Sequence, residues 1–178
     1  MGIRPDAAWV ARHDRTRGPP LPFRSRRRRG SFSLEAEIFL FSGESAEEYG
    51  VFLGGQDIEG AATPEYSAFV LRRDGQAAVL RRRGGQTTPV SAWQRHESIL
   101  PGKAGDEPVK NVLRIDIDPS NATLSVNGAK VLAVPRADIR VDGRIGFRVG
   151  KEMNLHITTL NVTRRLAPVP VKKEEKKG

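Results

Sequence analysis

Apolar and polar residues alternate along much of the chain between residues 31 and 165. Phe32, Leu34, Ala36, Ile38 and Leu40 alternate with Ser33, Glu35, Glu37 and Phe39, the period of a half-buried β-strand. Tyr49–Leu53 reads as a second short strand, closed by Gly54-Gly55 and followed by a polar loop over 54–65. Tyr66–Arg72 and Gln76–Arg82 flank Asp74-Gly75, which predicts a two-residue hairpin with both central residues at positive φ. Residues 84–89 read as a turn and 101–108 as a loop.

The second half repeats the pattern. Leu113, Ile115 and Ile117 alternate with Arg114, Asp116 and Asp118 in Asn111–Asp118. Pro119-Ser120-Asn121 turns the chain, and Ala122, Leu124 and Val126 resume the alternation. Asn127-Gly128 is a second hairpin signal and leads into Lys130–Val134. After Pro135 and a turn at Asp142-Gly143, Ile145, Phe147 and Val149 alternate with Arg144, Gly146 and Arg148. Asn154–Val162 closes the series. About nine strands at this spacing, with no helical period sustained over 11 residues, predict a two-sheet antiparallel sandwich or a barrel.

Composition changes this picture at the ends. Residues 1–30 hold nine Arg and several Pro with little apolar periodicity, so they read as a disordered tail. They include no apolar run of the kind a signal peptide needs, and a start upstream of or out of step with a natural leader is an alternative. Residues 31–166 read as the folded domain and 167–178 as a charged, Pro-punctuated tail. The formal net charge is +9, but 1–30 contributes +7 and 164–178 contributes +4. The remaining residues, 31–163, carry 15 basic and 17 acidic side chains. A folded DNA reader carries its positive charge on the folded surface, so no specific nucleic-acid partner is expected. The Arg24–Arg29 run predicts no more than salt-sensitive stickiness. No segment is apolar enough to span a membrane as a helix. The absence of cysteine removes disulfides and thiolate metal sites.

The strand SFSLEAEIFLF, the segment YGVFLGG, and NVLRIDIDPSNATLSVNGAKVLAVP followed by DGRIGFRVG resemble the concanavalin A-like lectin and glucanase superfamily. Within it they are similar to laminin-G-like and family 16 glycoside hydrolase-like sandwiches. The nearer resemblance is to the bacterial domain grouped with 3-keto-disaccharide hydrolases. The resemblance implies a jelly roll, a concave sheet able to hold a sugar chain, and an extracytoplasmic location.

No catalytic residue is assigned. Family 16 enzymes carry two Glu around an Asp on one strand, and this chain departs from that spacing. Glu35 and Glu37 lack the third carboxylate, and Asp116 and Asp118 lack a Glu. His13, His96 and His156 are scattered, so no metal site is assigned. Calcium enters as a candidate cofactor through the superfamily, with Asp57 and Glu59 or Asp116 and Asp118 as oxygen donors, though neither stretch has a loop-ligand pattern.

Sugar recognition combines flat aromatic faces with planar polar groups. Trp93, with Gln94, Arg95 and His96 beside it, brings such groups together. Tyr66, Arg72, Gln56 and Asp57 join them if the 54–65 loop folds over the same face, and Arg148 and His156 can contribute from the last strands. The expected partner is an oligosaccharide or polysaccharide. Three functions remain open at this point: a non-catalytic carbohydrate-binding or accessory module, a hydrolase or lyase acting on a glycoside such as a 3-keto-disaccharide, and a structural protein-interaction domain.

Overall fold

The computed structural model describes residues 30–58, 63–102, 105 and 107–165. The two tails read from composition lie outside these residues, apart from Gly30. Eleven strands fill the described chain: β1 Ser31–Leu40, β2 Glu48–Gln56, β3 Glu65–Arg72, β4 Gln76–Arg83, β5 Gln86–Pro89, β6 Gln94–Arg95, β7 Val109–Ile117, β8 Asn121–Val126, β9 Ala129–Pro135, β10 Arg144–Val149 and β11 Leu155–Arg165. One 3-10 turn, Arg136–Asp138, follows β9. The strands form two antiparallel sheets. One runs β11-β1-β7-β8-β9. The other runs β10-β2-β3-β4-β5, with β6 also pairing β4. This is an all-β, two-sheet antiparallel jelly-roll sandwich.

The alternation read from sequence sets the packing. Phe32, Leu34, Ala36, Ile38 and Leu40 of β1, Leu113, Ile115 and Ile117 of β7, and Ala122, Leu124 and Val126 of β8 point into the sandwich. They meet Tyr49, Val51 and Leu53 of β2, Phe69 and Leu71 of β3, Val79 of β4 and Phe147 of β10. Each fully buried Leu, Ile or Phe stabilises the fold by roughly 1.5–3 kcal/mol relative to exposure.

Three local readings need correction. First, the β3–β4 hairpin is not a two-residue loop. Leu71 pairs with Ala77, and Gly75 N–H donates to Arg72 C=O at 3.1 Å. Of Asp74 and Gly75, only Gly75 has positive φ, at 85°. The Asp74 carboxylate accepts from Gln76 N–H at 3.2 Å, which holds a three-residue loop ending in a left-handed glycine. By contrast, Asn127 and Gly128 both have positive φ, 51° and 87°, as a two-residue hairpin of the primed type requires. Second, the turn expected over 84–89 is confined to Gly84-Gly85, and Gln86–Pro89 folds back as β5 on β4. These four residues are all exposed, so no apolar alternation marks them. Third, β6 is an additional short strand beyond the nine expected.

Two polar side chains among the described residues, Ser67 and Asn111, are fully buried, and Asn111 makes the more extensive connections. Asn111 on β7 donates through Nδ2 to Tyr49 Oη at 3.2 Å and to Leu100 C=O at 3.0 Å. Its Oδ1 accepts from Leu100 N–H at 3.0 Å and from Asn127 Nδ2 at 2.9 Å. All four hydrogen-bonding valences of the amide are filled, which is what burial of an asparagine requires. Asn111 thereby joins β2 of one sheet, β7 of the other, the turn at Ser98–Leu100 and the β8–β9 hairpin.

Two outcomes follow from this arrangement. Asn111→Leu strands the Leu100 N–H and C=O, and urea denaturation is expected to show a loss of about 3 kcal/mol with an unchanged slope. Burial also lifts the Tyr49 phenol from its ordinary value of 10.0 to about 12, against the opposing pull of its Asn111 hydrogen bond and Arg73. A raised folded value means that the stability Tyr49 contributes is complete below pH 10 and is lost as pH rises from 10 to about 12. In Tyr66→Phe, Tyr49 is the sole remaining tyrosine. Its phenolate absorbance is expected to appear together with unfolding, not as a separate step near pH 10.

Candidate binding face

The six-stranded sheet carries a second apolar cluster on the side turned away from the core. Phe52, Tyr66, Ala68, Val70, Ala78 and Leu80 form it, with Ile58 and Trp93 packed against it. The register lines these residues up in rows. Arg148, Gly50, Val70 and Ala78 form one row; Gly146, Phe52, Ala68 and Leu80 form the next; Tyr66 and Arg82 form a third; Glu48 and Arg72 pair at the near end. β2 and β3 are therefore apolar on both faces, which is why YGVFLGG shows no alternation. The Phe52 ring lies against Gly146, where an added Cβ would come within 2.6 Å of it, so only glycine leaves room for the ring. Phe52 in turn packs on Tyr66, with centroids 5.1 Å apart and planes tilted by 39°.

Over this small-residue floor lies a polar network. Arg148 donates through Nε (3.0 Å) and Nη2 (2.5 Å) to Glu48 Oε1, and through Nη1 to Tyr66 Oη at 2.6 Å. The Arg148 and Glu48 side chains are only 17% and 12% exposed. Burial disfavours the charged guanidinium, but Tyr66 and the Glu48 carboxylate outweigh it and hold Arg148 above the ordinary arginine value. At the neighbouring edge the Arg72 guanidinium stacks on the Trp93 ring, 3.7 Å from its centroid. Such a pair is attracted through the ring quadrupole.

Trp93 is positioned by the segment that carries the chain from β5 towards the other sheet. Val79 N–H donates to Ser91 Oγ at 2.9 Å, Gln94 Nε2 to Val131 C=O on β9 at 3.1 Å, and His96 N–H to Gly75 C=O at 3.3 Å. Leu100, clamped by Asn111 from both its N–H and C=O, fixes the far end.

The structure thus brings together four residues singled out from sequence: Trp93, Arg72, Tyr66 and Arg148. His96 is engaged elsewhere; its Nδ1 lies 2.9 Å from Ser98 Oγ and accepts from Ser98 N–H, which ties the ring to the turn. His156 is on β11 of the other sheet, paired with Phe39 on that sheet's outer surface, with ring centroids 6.2 Å apart. It does not share a face with Arg148, because the turn after β10 crosses between sheets. Gln56 ends β2 opposite Glu65, and Asp57 follows it, exposed and at a φ of 50°. Glu59 lies outside the described residues. Asp116 is held by Ser33 and Arg114, and Asp118 caps the turn through Ser120 N–H and Asn121 N–H. Glu48 and Phe52 were not singled out. Glu48 meets Arg148 across 100 residues of sequence, a pairing that no local pattern carries.

No family model matches the chain, and no curated protein matches it. Solved structures do. A carbohydrate-binding module, CBM66 from Bacillus subtilis, is 10% identical at a TM-score of 0.57, covering 75% of this chain and 75% of that chain. Sheep galectin-11, solved as a complex with glycerol, is 15% identical at a TM-score of 0.54, covering 82% of this chain and 99% of that chain. Alginate lyase A1-II′, of polysaccharide lyase family 7, is a looser likeness at 16% identity and a TM-score of 0.48. At these identities the likeness is one of fold.

Proposed function

We propose that the chain is a non-catalytic carbohydrate-binding or accessory module whose ligand lies on the outer face of the six-stranded sheet, beside Trp93. The observation that carries this reading is the convergence of Trp93, Arg72, Tyr66, Arg148 and Glu48 on one face. A half-buried indole supplies an apolar surface for a pyranose ring, and the Arg–Glu–Tyr network offers fixed planar donors and acceptors for hydroxyl groups. The floor beneath, with Gly50, Ala68, Val70 and Ala78, is itself buried, so a ligand meets the side chains of Trp93, Arg72 and Arg148 that stand over it. The network is already paired in the free protein, which reduces the ordering cost of binding. The carbohydrate-binding module among the fold's likenesses supports the same class of ligand.

The non-catalytic part rests on the carboxylate count. Glycoside hydrolysis by the usual route uses two carboxyl groups flanking the bond. Glu48 is the one carboxylate at the strand positions of this face among the described residues, and Arg148 holds it.

The test is a glycan array with the full chain, followed by calorimetry. Saturable binding to a defined oligosaccharide class is expected. Trp93→Ala is expected to weaken it by about tenfold or more, the loss of a stacked anchor, with the melting temperature little changed. Turnover of a bound sugar, or binding unaffected by Trp93→Ala, contradicts the reading.

A further inference from the structure

The outer face of the six-stranded sheet is far more basic than the domain that carries it. Alternation along the strands places Arg72, Arg82, Arg95, Arg144 and Arg148 on this side, against Glu48 alone among carboxylates at its strand positions. The segment 31–163 as a whole carries 15 basic and 17 acidic residues, so this concentration does not reflect overall composition. Most of these arginines have partners within the protein. Arg148 is held by Glu48, Arg95 lies 3.7 Å from Asp74, and Arg82 donates to Thr87.

Arg72 differs. Its register partner across β2 and β3 is Glu48, but that carboxylate is turned to Arg148. Among the described residues no carboxylate lies within ion-pair distance of Arg72, and its buried Nε has no hydrogen-bond acceptor. Its guanidinium carbon instead lies over the Trp93 ring, 3.7 Å from the centroid. It also lines an open pocket of about 450 Å³ with Lys151, Glu47, Glu48 and Glu152. The turn carrying Lys151 is fixed there by Ser45 Oγ, which donates to Lys151 C=O at 2.8 Å. A guanidinium whose Nη groups make no hydrogen bond or ion pair among the described residues, set over the Trp93 ring and lining this pocket, suits a two-oxygen anion.

We infer that Arg72, with Lys151 beside it, selects an acidic saccharide, in which a carboxylate or sulfate on the sugar ring pairs with the guanidinium while the ring itself lies by Trp93. The inference rests on the carbohydrate-binding reading above and names its ligand class. A single-stranded nucleic acid is the other polyanion to weigh. Such strands are held on rows of exposed aromatic platforms. Here Phe52 and Tyr66 are 4% and 3% exposed, which leaves Trp93 as the one accessible aromatic side chain on the face among the described residues. Glu47 and Glu152 on the pocket wall also disfavour a densely charged backbone and suit a ligand with spaced charges and free hydroxyls.

The experiment is calorimetry on the full chain at physiological salt with matched oligosaccharides. One pair is an oligogalacturonate and the same oligomer with its carboxyls reduced. The other is sulfated galactan oligomers, which contain no uronic acid, and their desulfated forms. The wild type is expected to bind the carboxylated or the sulfated member about tenfold more tightly than its neutral or desulfated counterpart, the worth of one charge-assisted hydrogen-bonded pair. Arg72→Gln is expected to bring that ratio close to one. Lys151→Gln, at an exposed position outside the sheet, is expected to lower it by about threefold, as a second cation at the pocket should. Circular dichroism confirms that each variant is folded.

Equal affinity for the charged and uncharged members overturns the inference and leaves the carbohydrate-binding reading standing. No binding to any oligosaccharide removes both. A preference that survives both substitutions overturns it by assigning the selectivity to the basic ends of the chain. Tighter binding of a single-stranded oligodeoxynucleotide, lost in Arg72→Gln, overturns it in favour of a nucleic-acid face.

Discussion

The fully buried amide of Asn111 is the constraint on which the rest of the sandwich is arranged. A polar group between two apolar sheets is tolerated only when every valence is met, and here the four bonds come from three separate places. Tyr49 reaches it from the opposite sheet, Leu100 from the crossing segment, and Asn127 from a hairpin. Apolar packing alone would accept many relative shifts of the two sheets. The amide specifies one, because any shift would leave several donors and acceptors unpaired at once.

That specification extends to the candidate binding face. Trp93 belongs to no long strand, and its position is set by anchors on either side of it. Ser91 and Gln94 bind it to β4 and β9, and the Leu100–Asn111 clamp ends the segment against the core. The indole is thereby delivered over the outer face, where Arg72 stacks on it. Phe52 and Tyr66 then support the Arg148–Glu48 network from beneath. Core and face are linked through single strands: Tyr49 points inward to Asn111, and its neighbour Glu48 points outward to Arg148.

Much of the fold was legible because period-two alternation has a direct physical cause. One side of β1, β7 and β8 faces the core, and those strands read clearly. The Asn127-Gly128 hairpin was legible for the same kind of reason, since few residues accept positive φ at both positions. The Asp74-Gly75 hairpin was mistyped because its loop type depends on where Asp74 directs its carboxylate. β5 was missed since all its residues are exposed, and the outer apolar face was hidden because β2 and β3 are buried on both sides. The site was legible only in part. Trp93, Arg72 and Tyr66 announce themselves by residue type. The Glu48–Arg148 pair and the separation of His156 from Arg148 depend on which sheet each late strand joins, and sheet membership is a long-range property.

The central claim is that ligand contact is made on the outer face of the six-stranded sheet and not elsewhere on the sandwich. Two-dimensional NMR of the isotopically labelled chain, titrated with an oligosaccharide that it binds, tests this most directly. The account predicts shifts at the Trp93 indole N–H, the Arg72 and Arg148 Nε–H groups, and the amides of Gly50, Ala68 and Val70. Shifts confined to Phe39, His156 and Thr158 on the five-stranded sheet, with the Trp93 indole unmoved, would contradict it.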